Sequence, residues 1–207
     1  MEVFEYQTGP LKVNTYLVFD DKKEAFLVDP GSYLQQITNK IKEKDLDLKY
    51  IILTHGHGDH IGGIKLFRQE FPDVQVIAHE AEKETLNDAV LNNSAVLLGG
   101  ETTLDADKYV KDDEKMTIGG MELKFMHTPG HTPGGMSILI GDTVFSGDTL
   151  FKTSIGRTDF PGGDYAQLIE SIRTKLFTLP DDTKVYTGHM GNTTIGWEKG
   201  HNPFVSE

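Results

Sequence analysis

The chain has 207 residues, with 20 Lys and Arg against 32 Asp and Glu for a net charge of -12, and 37% of its residues are hydrophobic. That balance repels phosphate backbones and anionic lipid surfaces, so nucleic acid and membrane are poor expected partners, and the length suits a single domain over residues 1–207 with a substantial core. With no cysteine, disulfides, thiolate ligands and a cysteine nucleophile drop out together, and any metal must be held by nitrogen and oxygen. The first residues lack a basic segment followed by an apolar one, and no apolar run approaches the ~20 residues of a membrane span, so a cytoplasmic protein is the simplest expectation.

In chain order, VFEYQT, KVNTYLVF and EAFLVD, separated by GP and DDKK, predict an antiparallel meander. Ser32 can cap a helix that places Leu34, Ile37 and Ile41 on one face. YIIL reads as a buried strand leading into THGHGDHIGG, after which Ile61, Ile64 and Phe67 recur at helical spacing until Pro72. VQVIA predicts another strand, residues 80–93 a helix, and residues 94–113 a connection without periodicity. MELKFM, MSILIG and DTVFS then predict strands. A helix follows with Asp164 near its start and Leu168, Ile172 and Leu176 on one side, and TKVYT predicts a last strand. Strands and helices alternate in both halves, which favours a layered α/β domain.

Four apolar strands run into glycine-containing turns that carry histidine or aspartate: YIILTHGHGDH, LKFMHTPGH, TVFSGD and KVYTGH. Such strand ends are where sites are built. His55, His57, Asp59, His60, His131, Asp148 and His189 are therefore expected to converge on one edge. His55 and His57 are two apart on a stretch leaving a strand, so if it stays extended both point the same way and can share one ion. Asp59 and His60, at the start of the next helix, suit a second. With one more histidine for each ion and a carboxylate between them, seven donors make two open sites, as in a catalytic pair of ions. Taken singly, Asp59 reads as a helix cap, His131 and His189 as turn histidines and Asp148 as a turn residue. It is the set that points to metal. His127 reads as a supporting or packing residue, and His79 and His201 as surface or turn histidines.

The ordered set resembles the metallo-β-lactamase superfamily, whose signature is His-x-His-x-Asp-His followed by separate His, Asp and His ligands. The resemblance runs from VNTYLV and VDPGS through THGHGDH, TPGHTPGG and FSGDTLF to TGHMGNTT. Within the superfamily, FSGDTLFKTSIGRTDFPGGD and TTIGWEKGHNPF are similar to the compact glyoxalase II-like hydrolases. The resemblance implies a four-layer αβ/βα sandwich, two mixed sheets flanked by helices. It implies that His55, His57 and His131 hold one divalent ion, that Asp59, His60 and His189 hold the other, and that Asp148 bridges them. Zinc is the first expectation, and iron and manganese suit the same donors. Asp29, in VDPG, stands where members of the family have an aspartate supporting the site; a turn before Pro30 is the alternative. The chain departs from the family pattern in two places. The extra C-terminal helical region of larger glyoxalase II enzymes is not expected here, and Met190 follows His189 where relatives usually have glycine.

The implied chemistry is hydrolysis of a small thioester such as S-lactoylglutathione. A hydroxide between two divalent ions exists near neutral pH, because coordination lowers the pKa of water from about 15.7 towards roughly 7. It attacks a carbonyl polarised by one ion, Asp59 takes the nucleophile's proton, and thiolate leaves without a general acid. Arg157 is a candidate partner for a substrate carboxylate or for a nearby aspartate. Rival readings on the same fold are persulfide dioxygenation on one iron held by His55, His131 and Asp148, and a lactonase or phosphodiesterase.

Overall fold

The computed structural model describes residues 1–205. The chain opens with β1 (Glu2–Thr8), β2 (Val13–Phe19) and β3 (Glu24–Val28), then α1 (Gln35–Glu43), β4 (Asp47–Ile52), α2 (Gly58–Ile61), α3 (Ile64–Glu70) and β5 (Gln75–His79). After α4 (Lys83–Asn87) and α5 (Ser94–Leu98) come β6 (Lys108–Val110), β7 (Lys115–Ile118), β8 (Met121–His127), β9 (Met136–Ile140), β10 (Thr143–Gly147), β11 (Leu150–Phe151) and β12 (Ser154–Ile155). The chain ends with α6 (Tyr165–Ser171), β13 (Lys184–Thr187), β14 (Thr193–Thr194) and α7 (Ile195–His201).

Two six-stranded sheets form, in the orders β1-β2-β3-β4-β5-β6 and β14-β13-β10-β9-β8-β7. Both are mixed. The predicted meander is present, with β1, β2 and β3 antiparallel, and β3, β4, β5 and β6 then run parallel. In the second sheet β10 and β13 are parallel, while β7, β8, β9 and β10 alternate in direction.

Side chains alternate across each strand, so one sheet feeds two cores. Tyr16, Val18 and Phe26 face Phe125, Ile138 and Phe145 of the other sheet in the central layer. Leu17, Leu27 and Ile51 face outward onto Ile37 and Ile41 of α1 and Phe67 of α3. On the far side, Val144 and Val185 pack under Leu168, Ile172 and Leu176. The result is the four-layer αβ/βα sandwich. Tyr16 ties its halves together, meeting the rings of Phe145 and Tyr186 edge-on, each at 5.2 Å.

Several local expectations give way to tertiary structure. The first helix starts at Gln35 with Leu34 at its cap position, not Ser32, and no side chain bonds its cap. The helix after the histidine segment is broken at Gly62 and Gly63 into α2 and α3. The helix expected over residues 80–93 stops at Asn87, because the Asp88 carboxylate accepts from the N–H groups of Val90 and Leu91 at 2.7 and 3.1 Å. That is the local competition that favours turns over helices. Within the connection expected over 94–113 lie α5 and β6, and β6 is recruited by pairing with β5 rather than by its own pattern. Asp164 does cap α6, accepting from Gln167 N–H at 3.0 Å.

His79, expected as a surface or turn histidine, stands at the turn that ends β5 and is buried there, where its Nδ1 accepts from Ala81 N–H and its ring stacks on His127 at 4.0 Å. Burial, then the neighbouring His127, push its pKa down to about 4 from 6.5. Between those values the unfolded chain holds the proton and the folded chain does not. Stability is therefore expected to be lost as pH falls from 6.5 towards 4. Unfolding free energies measured by denaturant titration across that range should fall less steeply in His79→Gln than in the parent chain.

Candidate metal centre

The ends of three neighbouring parallel strands open onto one edge of the first sheet: β3 ends at Asp29, β4 at the segment His55–His60, and β5 leads through a single 3-10 turn to Glu82. On the second sheet β8, β10 and β13 deliver His131, Asp148 and His189 to the same edge. All seven donors expected from the sequence are brought together. Ligand atoms of His55, His57 and His131 lie within 4.8 Å of one another, as do those of Asp59, His60 and His189. Asp148 stands between the groups: Oδ2 is 3.6 Å from His131 Nε2 and 3.5 Å from His189 Nε2, and Oδ1 is 3.5 Å from His60 Nε2. Asp59 does not cap its helix, since the cap position is His57; its Oδ2 is 3.4 Å from His189 Nε2.

The rings are aimed by groups behind them. Both Asp29 carboxylate oxygens accept: Oδ1 takes Thr54 N–H at 2.8 Å, and Oδ2 takes the Thr54 hydroxyl at 2.6 Å and His60 Nδ1–H at 3.0 Å. Thr54 Oγ1 in turn lies 3.1 Å from His55 Nδ1, placed to accept its N–H. His131 Nδ1–H donates to the Arg157 carbonyl at 2.7 Å. Each contact engages one nitrogen and leaves the other facing the cluster. Gly147, at φ 50°, makes room for Thr54, whose Oγ1 a Cβ there would strike, and Gly188 makes room for Asp148, since a Cβ on Gly188 would collide with Asp148 Oδ1 and stand 3.0 Å from His60 Cε1.

This cluster fits metal ions. His55 Nε2, His57 Nε2 and Asp148 Oδ1 are buried without a hydrogen-bond partner, a costly state for polar atoms that a bound cation would relieve. Donors ~2.0–2.1 Å from a tetrahedral ion stand about 3.4 Å from each other, close to the 3.4 to 3.6 Å separations found here. Burial, then neighbouring imidazoles, hold His55 and His57 well below the usual histidine range, and burial lowers His131 too. These three rings are neutral and keep the lone pairs a cation needs. Burial acts in the same direction on His60 and His189 but is overcome by carboxylates: Asp148, Asp59 and Asp29 lift His60 to about 10, and Asp59 and Asp148 raise His189.

Three supports were not singled out from the sequence. Asn14 Nδ2 donates to the carbonyls of Thr187 and Met190 at 3.0 and 2.9 Å, and the Tyr16 hydroxyl donates to Thr187 O at 2.7 Å. These two residues of VNTYLV clamp the turn that carries His189 from the opposite sheet. The third, Glu82, is fully buried. Its Oε1 accepts from Gly56 N–H at 2.7 Å, between His55 and His57, and its Oε2 accepts from Gly134 N–H at 2.7 Å and Thr132 Oγ1 at 3.0 Å, beside His131. Burial pushes its carboxyl up to about 7 against the pull of those donors. Glu82 stands between Glu80 and Glu84 in HEAEKET, and nothing local distinguishes it from them. Among the remaining candidates, Arg157 forms a bidentate pair with Asp159, both contacts at 2.7 Å, His127 Nε2 lies 2.9 Å from Pro133 O, and exposed His201 stacks on Trp197.

A four-layer sandwich with histidines and aspartates gathered from both sheets at one edge defines a domain built around a metal cluster. The chain belongs to the metallo-beta-lactamase superfamily, whose pattern matches residues 8–189. It is 41% identical over 201 residues to the probable metallo-hydrolase YqgX of Bacillus subtilis, covering 96% of this chain and 94% of the relative. It is 39% identical over 199 residues to the hydroxyacylglutathione hydrolase GloC of Haemophilus influenzae, covering 93% and 92%. Among solved structures it is similar to the BLEG-1 B3 metallo-beta-lactamase, with a TM-score of 0.92, 40% identity and 100% of both chains covered. TTHA1623, solved in a di-iron-bound form, superposes with a TM-score of 0.85 at 33% identity, covering 98% of this chain and 100% of the other. ETHE1 from Myxococcus xanthus gives 0.80 at 31% identity, covering 98% and 84%. Among the described residues no helix is long and apolar enough to cross a membrane.

Because both Glu82 oxygens accept from donors, Glu82→Gln turns an amide N–H2 against one of them. The variant is expected to lose about 1–3 kcal/mol of unfolding free energy, measured by denaturant titration of metal-free protein.

Proposed function

We propose that the chain is a metal-dependent hydrolase that cleaves a small thioester of the S-lactoylglutathione kind. The observation that carries this reading is the pairing of two donor groups, His55, His57 and His131 with Asp59, His60 and His189, on either side of Asp148. His57, Asp59, His131, Asp148 and His189 line a cavity of about 460 Å³, and His55 and His60 are buried. These residues would hold two divalent ions, zinc first among them with iron and manganese compatible. Bound there, the ions would supply Lewis acidity for a carbonyl and a water acidic enough to ionise near neutral pH.

The protein's own groups do the rest. Burial alone would raise the Asp59 carboxyl, but His60 and His189 pull it well below the usual carboxylate range. It is therefore ionised at neutral pH, and its oxygens are available to accept the proton of an attacking water. Asp29, Thr54 and the Arg157 carbonyl hold His60, His55 and His131 in fixed orientations, so little reorganisation accompanies reaction. No cysteine or lysine lines the cavity, and a thiolate leaving group needs neither as a proton donor. The identity to GloC, whose name specifies a hydroxyacylglutathione, supports a thioester over a lactone or phosphodiester.

The test is metal analysis of protein purified without added metal, together with turnover of S-lactoylglutathione. Two ions per chain and loss of thioester absorbance without oxygen uptake are expected. Asp148→Asn should lower kcat/KM roughly a hundredfold or more and reduce metal content. A single iron per chain with oxygen uptake on a thiol persulfide would replace the hydrolase with a dioxygenase.

A further inference from the structure

We infer that the mouth of this cavity receives an extended apolar arm of the substrate, with Met190 as a specificity-determining residue; the inference rests on the thioester reading above and narrows its substrate class. The walls above the donor cluster are Leu11, Leu97, Phe151, Ile155, Phe160 and Met190. Phe160 meets the His57 ring edge-on at 5.4 Å and Phe151 meets His189 at 6.1 Å, so apolar surface begins at the donors themselves. Leu11 and Met190 continue it outward, 45% and 58% exposed. Surface of this kind, contiguous with a polar reaction centre, is the pattern of a ligand cavity whose walls supply affinity and whose floor supplies chemistry.

Charge points the same way. Among the described residues lining the cavity, Arg157 is the single lysine or arginine. It is not free: both its Nε and its Nη2 hold Asp159 at 2.7 Å, and its guanidinium lies 3.8 Å over the Phe160 ring. Among the described residues that line the cavity, no lysine or arginine is left unpaired for a carrier with several carboxylates, and the chain's net charge is -12. An uncharged acyl or alkyl arm meets no such opposition.

Met190 supplies an independent observation. Its backbone sits at φ 65°, a left-handed conformation that disfavours every side chain larger than glycine's hydrogen. The turn is held there by Asn14, through the Met190 carbonyl. A methionine at this position strains the backbone, and more than half of it faces solvent, so the fold gains nothing from it. Strain retained at the rim of a site is accounted for when the side chain contacts what enters, and the unbranched thioether adapts to flexible apolar ligands.

The experiment uses the metal-loaded chain, a series of straight-chain S-acyl N-acetylcysteamine thioesters from acetyl to octanoyl, and S-lactoylglutathione. We expect kcat/KM to rise about threefold per added methylene over the first few, and the longer members to exceed S-lactoylglutathione. Calorimetric binding of the unreactive S-octyl thioether should be tighter than that of the S-methyl thioether. Met190→Gly should flatten the rise with chain length, weaken S-octyl binding and raise Tm. A chain-length series that is flat, or that Met190→Gly leaves unchanged, overturns the apolar arm and leaves the hydrolase standing. Absence of turnover on every thioester overturns the hydrolase. In that case the thioether measurements still decide the arm: equal binding of the octyl and methyl compounds overturns it, and tighter octyl binding lost in Met190→Gly upholds it.

Discussion

The buried carboxylate of Asp29 is the contact on which the two donor groups jointly depend. It occupies a left-handed backbone position at φ 47° at the end of β3, a conformation that aspartate tolerates better than most residues. From there it accepts from Thr54 and His60 at once, and through Thr54 it reaches His55. His55 belongs to one donor group and His60 to the other. A single negative charge thus sets the orientation of one imidazole in each, so the groups are not independent modules placed side by side. Removing it would leave a threonine amide and a histidine N–H buried without acceptors, and each such donor costs about 1–3 kcal/mol.

Around that contact the fold solves a burial problem. Histidines and aspartates are packed against the end of an apolar sandwich, where unpaired polar atoms are expensive. The solution is a shell of groups that each engage one atom of a donor or of the loop beside it: Glu82 on the turns around Gly56 and Gly134, Asn14 and Tyr16 on the turn before His189, the Arg157 carbonyl on His131. The electrostatics divide accordingly. His55, His57 and His131 are kept neutral mainly by burial, whereas His60 and His189 are held up by carboxylates. One group of donors is poised by desolvation and the other by charge.

The convergence of these seven side chains was legible in the sequence, because each follows an apolar strand into a glycine-containing turn. Short β-rich and apolar runs bounded by turn residues likewise exposed the meander and the strands of the central layer, and the spacing of Leu168, Ile172 and Leu176 marked the helix over β10 and β13. What was not legible depends on partners distant in sequence. β6 is a strand because β5 offers it an edge; the helix over residues 80–93 ends early because Asp88 bonds its own neighbours. Glu82 and Asn14 look like ordinary polar residues until the turns they hold are folded against them. His79 stands at a turn as one of its two readings had it, but its burial was not legible, because nothing local reveals that β8 lays His127 across it. Met190 stood out as an odd residue beside a histidine, and only its backbone angle shows why that oddity carries a cost.

The clamp made by Asn14 and Tyr16 also makes the sandwich a measuring device. These side chains leave the first sheet and hold a turn of the second, while Tyr16 rests on Phe145 and Tyr186 along the way. The gap between donors drawn from opposite sheets is therefore set by the thickness of the central layer, not only by the loops that carry them. Interiors packed at crystal density transmit a change of even one methylene to their neighbours. A change of volume at Tyr16, Phe145 or Tyr186 would therefore reach the spacing between His60 and His189 without altering either residue.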